Sequence, residues 1–410
     1  MICQFLFSFL IPLYQQFYFS DIFRKMMFSR PFTTQRYYRF AVSSFFFFMG
    51  FAFSSWASRI PDIKNLLHLN EAGFGSVLFA LPIGQLCSMM LSGYLVGRFG
   101  SKNTLTVAAF LYLMALLSLG LVTHVWQLTI GLFFFGMSGN LCGISINTQG
   151  VGVERLYRRS IMASFHGLWS LAGFTGGLLS TLMVANNVVP FKHFCIVAGL
   201  SFLLIITMRN WVLPRDANRD KKKDGPFFVK PDKYIITLGL VVFGSMICEG
   251  AMFDWSGVFF EKVIHPPKEL VRMGYIAFMF TMTGGRFTAD WLVTRFGINR
   301  ILRFSGITIT TGLLIAVSFP YLYSATLGFL LVGIGTSSVV PLCYSLAGKS
   351  KTMHPSLAIA TTSSIGFLGF LIGPPIIGFI AQASSLRWSF ALVSMLGLLT
   401  ATLASRIKSV

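Results

Sequence analysis

Charge is what this sequence has least of. Only 11% of its 410 residues are charged, and 13 are acids, whereas soluble domains run near a quarter charged. A soluble chain that is 54% hydrophobic would leave apolar patches exposed far beyond what monomers tolerate, which excludes the ordinary soluble classes. Cysteine is sparse too. Cys3, Cys87, Cys142, Cys195, Cys248 and Cys343 stand apart, with no Cys-x-x-Cys and no Cys/His cluster. They imply no metal site and read as small apolar residues in helices. The Gly-x-x-x-x-Gly-Lys-Ser/Thr loop is missing, which speaks against ATP drive. No cluster of His, Asp or Cys suggests a membrane enzyme, and no cofactor is implied.

What is present is a succession of apolar runs, each about 20 residues long and so able to cross a bilayer as a helix. Twelve spans are expected, at 39–58, 72–96, 103–122, 125–150, 160–184, 191–212, 234–259, 273–293, 302–320, 323–346, 357–380 and 387–405. The net charge of +20 has a position: 25 of the 33 Lys and Arg fall on one side of these spans, seven on the other, and Arg286 lies inside one. That skew is the positive-inside pattern. It puts both termini in the cytoplasm of a cell with an inner membrane, and leaves no face for nucleic acid. The basic stretch 214–233 separates six spans from six as a cytoplasmic linker, giving an N-terminal bundle over 39–213 and a C-terminal bundle over 234–410. Residues 1–38 lack a basic start and a small-residue cleavage site, so they make a poor signal peptide. They read as a start-site artefact or dispensable extension followed by a cytoplasmic arm; a thirteenth hydrophobic segment is the rival reading.

The halves echo one another. Arg98-Phe99-Gly100 recurs as Arg295-Phe296-Gly297, and Gly131 and Gly136 recur as Gly328 and Gly333, all at an offset of 197. Trp56 answers Trp255 at 199, and Gly173-Phe174 answers Gly369-Phe370 at 196. Four nearly equal offsets at matching points of the spans argue for duplication. Six is an even number, so the repeat is parallel, about an axis along the membrane normal.

At these residues the chain resembles the major facilitator superfamily. The loop between spans 2 and 3 reads Gly93-Tyr94-Leu95-Val96-Gly97-Arg98-Phe99-Gly100-Ser101-Lys102, similar to the superfamily's Gly-x-x-x-Asp-Arg-x-Gly-x-Lys/Arg pattern, with Gly97 where Asp is usual. More narrowly it resembles the YbjJ-like branch related to the fucose permeases. The matching stretches are Trp56-Ala57-Ser58-Arg59-Ile60-Pro61, Asn147-Thr148-Gln149 with Val153-Glu154-Arg155, His166 with Trp169-Ser170, Glu249-Gly250-Ala251-Met252 with Asp254-Trp255-Ser256, Gly285-Arg286 with Asp290, Val339-Val340-Pro341-Leu342 and Gly366-Phe367-Leu368-Gly369 through Gly373-Pro374-Pro375. The resemblance implies an all-α integral membrane fold, twelve transmembrane helices in two six-helix bundles, with spans 1, 4, 7 and 10 lining a cavity. Fucose permeases carry coupling acids in spans 1 and 4; here those interiors hold none, so sugar–proton symport does not transfer directly.

Ionisable groups inside a span cost about 2.5–3.5 kcal/mol at the centre on insertion scales, and default to a functional hypothesis. Three acids qualify: Glu249, Asp254 and Asp290. Counted from Tyr234, Glu249 falls about two-thirds of the way across at ~1.5 Å per residue, and Asp254 ~7.5 Å beyond it. Glu249 is the leading proton-coupling candidate, followed by Asp254 and by His166 on span 5; a structural acid, a helix-end acid and a packed histidine are the respective alternatives. Arg286 and Asp290, at i and i+4, share a face of span 8 and read as an ion pair near the inner gate with Arg98, Lys102 and Arg295, direct substrate binding being the alternative. A depth gap of ~12 Å is expected to keep Arg286 from Glu249. Asn140 and Asn147 on span 4 and Tyr344 on span 10 are candidate cavity groups, the amides serving otherwise as interhelical links. Trp56 and Trp255 read as aromatic-belt anchors or as lids over the cavity. Gln149 belongs with Glu154 and Arg155 at the inner end.

Together these point to a secondary transporter that rocks two bundles around a midplane site, with a small-molecule substrate, protons and the lipid bilayer as partners, working as a monomer. Import of a sugar-like or other polar metabolite is favoured; efflux of amphipathic compounds, or a non-transporting membrane sensor, stays open.

Overall fold

The computed structural model describes residues 34–157, 161–214, 231–350, 352–353 and 355–407. The N-terminal extension, nearly all of the 214–233 linker and the extreme C-terminus lie outside the described residues. Within them the chain is helical: α1 (Thr34–Ala57), α2 (Glu71–Leu78 and Ala80–Phe99), α3 (Ser101–Leu119), α4 (Val125–Tyr157), α5 (Met162–Ala185), α6 (Pro190–Met208), α7 (Lys233–Phe259), α8 (Met273–Phe296), α9 (Ile298–Ser318), α10 (Leu322–Ala347), α11 (Pro355–Ala383) and α12 (Leu386–Arg406). A short helix, Ile60–Leu66, follows α1. Among the described residues eleven helices are long and apolar enough to cross a membrane. The twelfth, α8, is as long as α5 but holds Arg286, Asp290 and Arg295.

Polar punctuation sets the helix ends. The Asn70 side chain accepts from Gly73 N at 2.8 Å at the start of α2, and Asp232 accepts from Ile235 N at 2.8 Å at the start of α7. Glu154 accepts from Ile161 N and Met162 N, at 2.8 and 3.0 Å, and so caps α5 from the end of α4. Each supplies an acceptor to amides that a helix leaves unpaired. Pro82 lacks the amide that would bond Leu78, which accounts for the break in α2 at Phe79. The end facing the linker is tied by Gln149, which donates to Ser101 Oγ at 2.7 Å and Leu213 O at 3.0 Å and accepts from Leu213 N at 2.8 Å.

The duplication is visible in the backbone. Gly100 ends α2 at φ 82°, ψ 153°, and Gly297 ends α8 at φ 80°, ψ 152°, a left-handed conformation that favours glycine. The side chains repeat too: Arg98 lies over the Tyr94 and Phe99 rings at 5.8 and 5.6 Å, and Arg295 over Trp291 and Phe296 at 5.6 and 5.7 Å. Within each half, α1 packs on α5 as α7 packs on α11, and α2 on α4 as α8 on α10. The halves meet through α2 against α11 and α5 against α8. The first contact is backbone-close: a methyl on Gly75 would stand 2.7 Å from the Pro374 carbonyl oxygen, and one on Gly378 2.5 Å from that of Glu71. Small residues allow this approach, which drives helix association in lipid.

Candidate functional site

The centre of the molecule holds an ion pair. Arg286 Nη2 lies 3.3 Å from Glu249 Oε1, and Arg286 Nη1 donates to Ser170 Oγ at 2.5 Å. The guanidinium stands over the Trp169 ring at 5.7 Å. Glu249 and Arg286 belong to one half, Trp169 and Ser170 to the other, so one side chain joins both. This corrects the depth expected from sequence. Helical structure continues past Phe259 through a wider turn at Phe260–Ile264, so the whole run Lys233–Ile264 has 32 residues and measures about 48 Å. Its middle, not its outer third, is Glu249. Arg286 is close to the middle of α8, and its long side chain closes the remaining gap. It therefore sits near the middle of its helix, away from the linker-side ends that hold Arg98 and Arg295. The side chain of Asp290 lies outside the described residues, and with it the expected Arg286–Asp290 pair.

Above this pair an aromatic cluster seals the bundle. Phe253 meets Phe53 at 5.2 Å, Phe278 at 5.6 Å and Trp169 at 6.0 Å, and Phe53 meets Trp169 at 5.9 Å. Phe253 is four residues on from Glu249, hence on the same helix face. Trp56 and Trp255 are fully buried in this conformer, so neither is exposed as an interface anchor here. Two residues past Phe253, Trp255 points elsewhere and meets Phe74 of the other half edge-on at 5.3 Å.

Beyond the aromatics, at the end remote from the linker, a second polar group joins the halves. Asp62 receives both Arg59, at 3.4 Å, and Arg272. Asn65 donates to Glu261 at 2.6 Å. Arg59 also donates to Val188 O at 2.7 Å and to His193 Nδ1 at 3.2 Å. Pro61 packs on Gly257. The molecule is therefore shut at this far end. On the linker side His166 is exposed, one turn into α5, its ring edge-on to Phe46 at 5.2 Å.

The remaining candidates are arranged around this axis. Tyr344 is half-buried and donates to Ser363 Oγ of α11 at 3.1 Å. Asn140 donates to Ser88 of α2 at 2.9 Å, an interhelical link, and Asn147 to its own helix at Gly143 O, 2.8 Å. Asp254 is half-buried, and among the described residues no hydrogen bond or ion pair reaches it. Arg98 and Arg295 are exposed at the linker-side ends of α2 and α8, and Lys102 is half-buried at the start of α3.

Sequence reasoning missed Ser170, Phe53 and Phe253, and the far-end group of Arg59, Asp62 and Arg272. A signal for the last was present: Arg59 and Arg272 are among the seven cations on the wrong side for the charge rule.

The family profile of the Major Facilitator Superfamily matches residues 40–355. The chain belongs to this superfamily. It is 33% identical over 363 residues to a Yersinia pestis protein described as an uncharacterised MFS-type transporter, covering 88% of this chain and 93% of that one. Its fold is similar to that of the nucleoside transporter NupG, with a TM-score of 0.70, 12% identity, and coverage of 92% of this chain and 99% of that one. It is similar to a single-residue variant of the E. coli fucose:proton symporter FucP at a TM-score of 0.60 and 16% identity, covering 90% of this chain and 98% of that one. The chain is thus a multi-pass membrane transporter with the major facilitator fold, a member of a superfamily of transporters rather than enzymes.

Proposed function

We propose that this transporter imports a small, uncharged, hydroxyl-rich solute together with protons, as a monomer in the cytoplasmic membrane with both termini inside. The lysine and arginine skew supports that orientation, and with it the shut end faces outward. The observation that carries the reading is the Glu249–Arg286–Ser170 chain of contacts across the two halves. Arg286 neutralises Glu249 here, so the site has no surplus positive charge for an anion. A proton on Glu249 removes the charge that holds Arg286 and frees guanidinium donors for solute hydroxyls, with the Trp169 face beside them. On the cytoplasmic side, water takes the proton and Arg286 returns to the carboxylate, the arrangement of the empty form. Protonation thereby shifts the balance between conformers through a difference in contacts. NupG and FucP, named for a nucleoside and for fucose with protons, support a neutral polar solute.

Uptake of labelled monosaccharides and nucleosides into proteoliposomes, with and without an imposed pH gradient, tests this: the transported compound accumulates only with the gradient, and indifference to it removes proton coupling. Efflux of an amphipathic compound has one observation in its favour, the Phe53–Trp169–Phe253 ceiling, and would appear in the same vesicles as gradient-driven extrusion.

A further inference from the structure

Ser170 is fully buried, in the half opposite Arg286. Its hydroxyl donates to His166 O at 3.2 Å within α5. That spends its only proton and leaves oxygen lone pairs for Arg286 Nη1 at 2.5 Å. The surrounding contact is tight: a methyl on Gly167 would stand 2.6 Å from the Phe287 ring of α8, and one on Gly177 3.1 Å from Tyr275. The acceptor is therefore held in place by packing on both sides. We propose that Ser170 is a positioning residue that holds Arg286 across the interface and so ties the Glu249–Arg286 pair to the conformer shut at the far end. This rests on the reading of that pair as the coupling element. Without the hydroxyl, Arg286 still meets Glu249, but its hydrogen bond to the other half is gone and only the Trp169 ring face is left to engage it there.

The test is hydrogen–deuterium exchange of the full chain in phosphatidylethanolamine–phosphatidylglycerol nanodiscs, following the far-end segments 60–75 and 257–272 at one pH. A hydrogen bond to a charged group at this burial corresponds to about a tenfold shift in the open-to-shut ratio. Ser170→Ala is expected to raise far-end exchange by about that factor, Ser170→Thr to restore wild-type exchange, and Ser170→Ala to add nothing in an Arg286→Gln background. Wild-type exchange in Ser170→Ala, with Glu249→Gln still altering it, overturns the role of Ser170 and leaves the coupling pair standing. Wild-type exchange in Glu249→Gln overturns the coupling pair itself. An undiminished Ser170→Ala effect in Arg286→Gln reduces Ser170 to a packing residue and overturns the proposal.

Discussion

Replacing Asp62 by asparagine removes the one carboxylate that holds both Arg59 and Arg272 at the far end. The arginine side chains are 2% and 3% exposed and Asp62 is 32% exposed. Leaving a buried charge without its partner costs about 3–5 kcal/mol. Three features lower that figure. A third of the carboxylate is in water, where pairs are worth little; asparagine still accepts a hydrogen bond; and Arg59 keeps Val188 O and His193. The loss falls on Arg272, whose other contact is Lys268 O at 3.4 Å. About 2 kcal/mol then remains, roughly a thirtyfold shift from shut toward open at the far end. Spin labels at positions 66 and 262, one on each half at exposed far-end sites, with exposed Cys87 replaced, read this as a distance distribution in nanodiscs. Asp62→Asn is expected to add a long-distance population that Asp62→Glu does not. A distribution for Asp62→Asn that superposes on the wild type refutes the latch.

Two further outcomes are expected. Asp232 accepts hydrogen bonds from Thr352 Oγ1 and, as the α7 cap, from Ile235 N; these hold its carboxyl below the ordinary carboxylate range, the threonine hydroxyl contributing most. A depressed folded value means stabilisation that is present above the unfolded value and lost as pH falls through the folded one. Asp232→Ala should therefore lower thermal stability by about 1 kcal/mol at neutral pH, the gap closing in acid, which unfolding monitored in detergent at both pH values checks. A cysteine at Lys233, at the start of α7, should resist a membrane-impermeant maleimide in intact cells and react in inside-out vesicles; labelling from outside reverses the orientation.

Most helices were legible because lipid demands it: every backbone polar group in a span must be satisfied within the helix, so apolar length marks a span, a mark that α8, with its charged residues, does not reach among the described residues. The repeat was legible because Gly100 and Gly297 serve the same left-handed cap. Depth was not. Counting from Tyr234 assumed that α7 begins at the membrane and ends with it, whereas the helical run spans more than the ~30 Å of hydrocarbon, and this placed Glu249 too far from Arg286. Side-chain phase defeated the reading of Trp56 and Trp255, since repeat symmetry locates them but does not say which face they take. The far-end latch was hidden by distance along the chain: Arg272 and Asp62 are 210 residues apart, and the arginine was counted as a topology exception, not as half of a pair.

The central claim is that Glu249 carries the coupling proton, exchanging it against Arg286. Glu249→Gln preserves the shape of the protonated acid and cannot ionise. In proteoliposomes containing the transported solute identified by the uptake screen, this variant should retain exchange of labelled for unlabelled solute while losing accumulation under an imposed pH gradient. Accumulation at the wild-type level by Glu249→Gln would contradict the account and move the coupling role to Asp254 or His166.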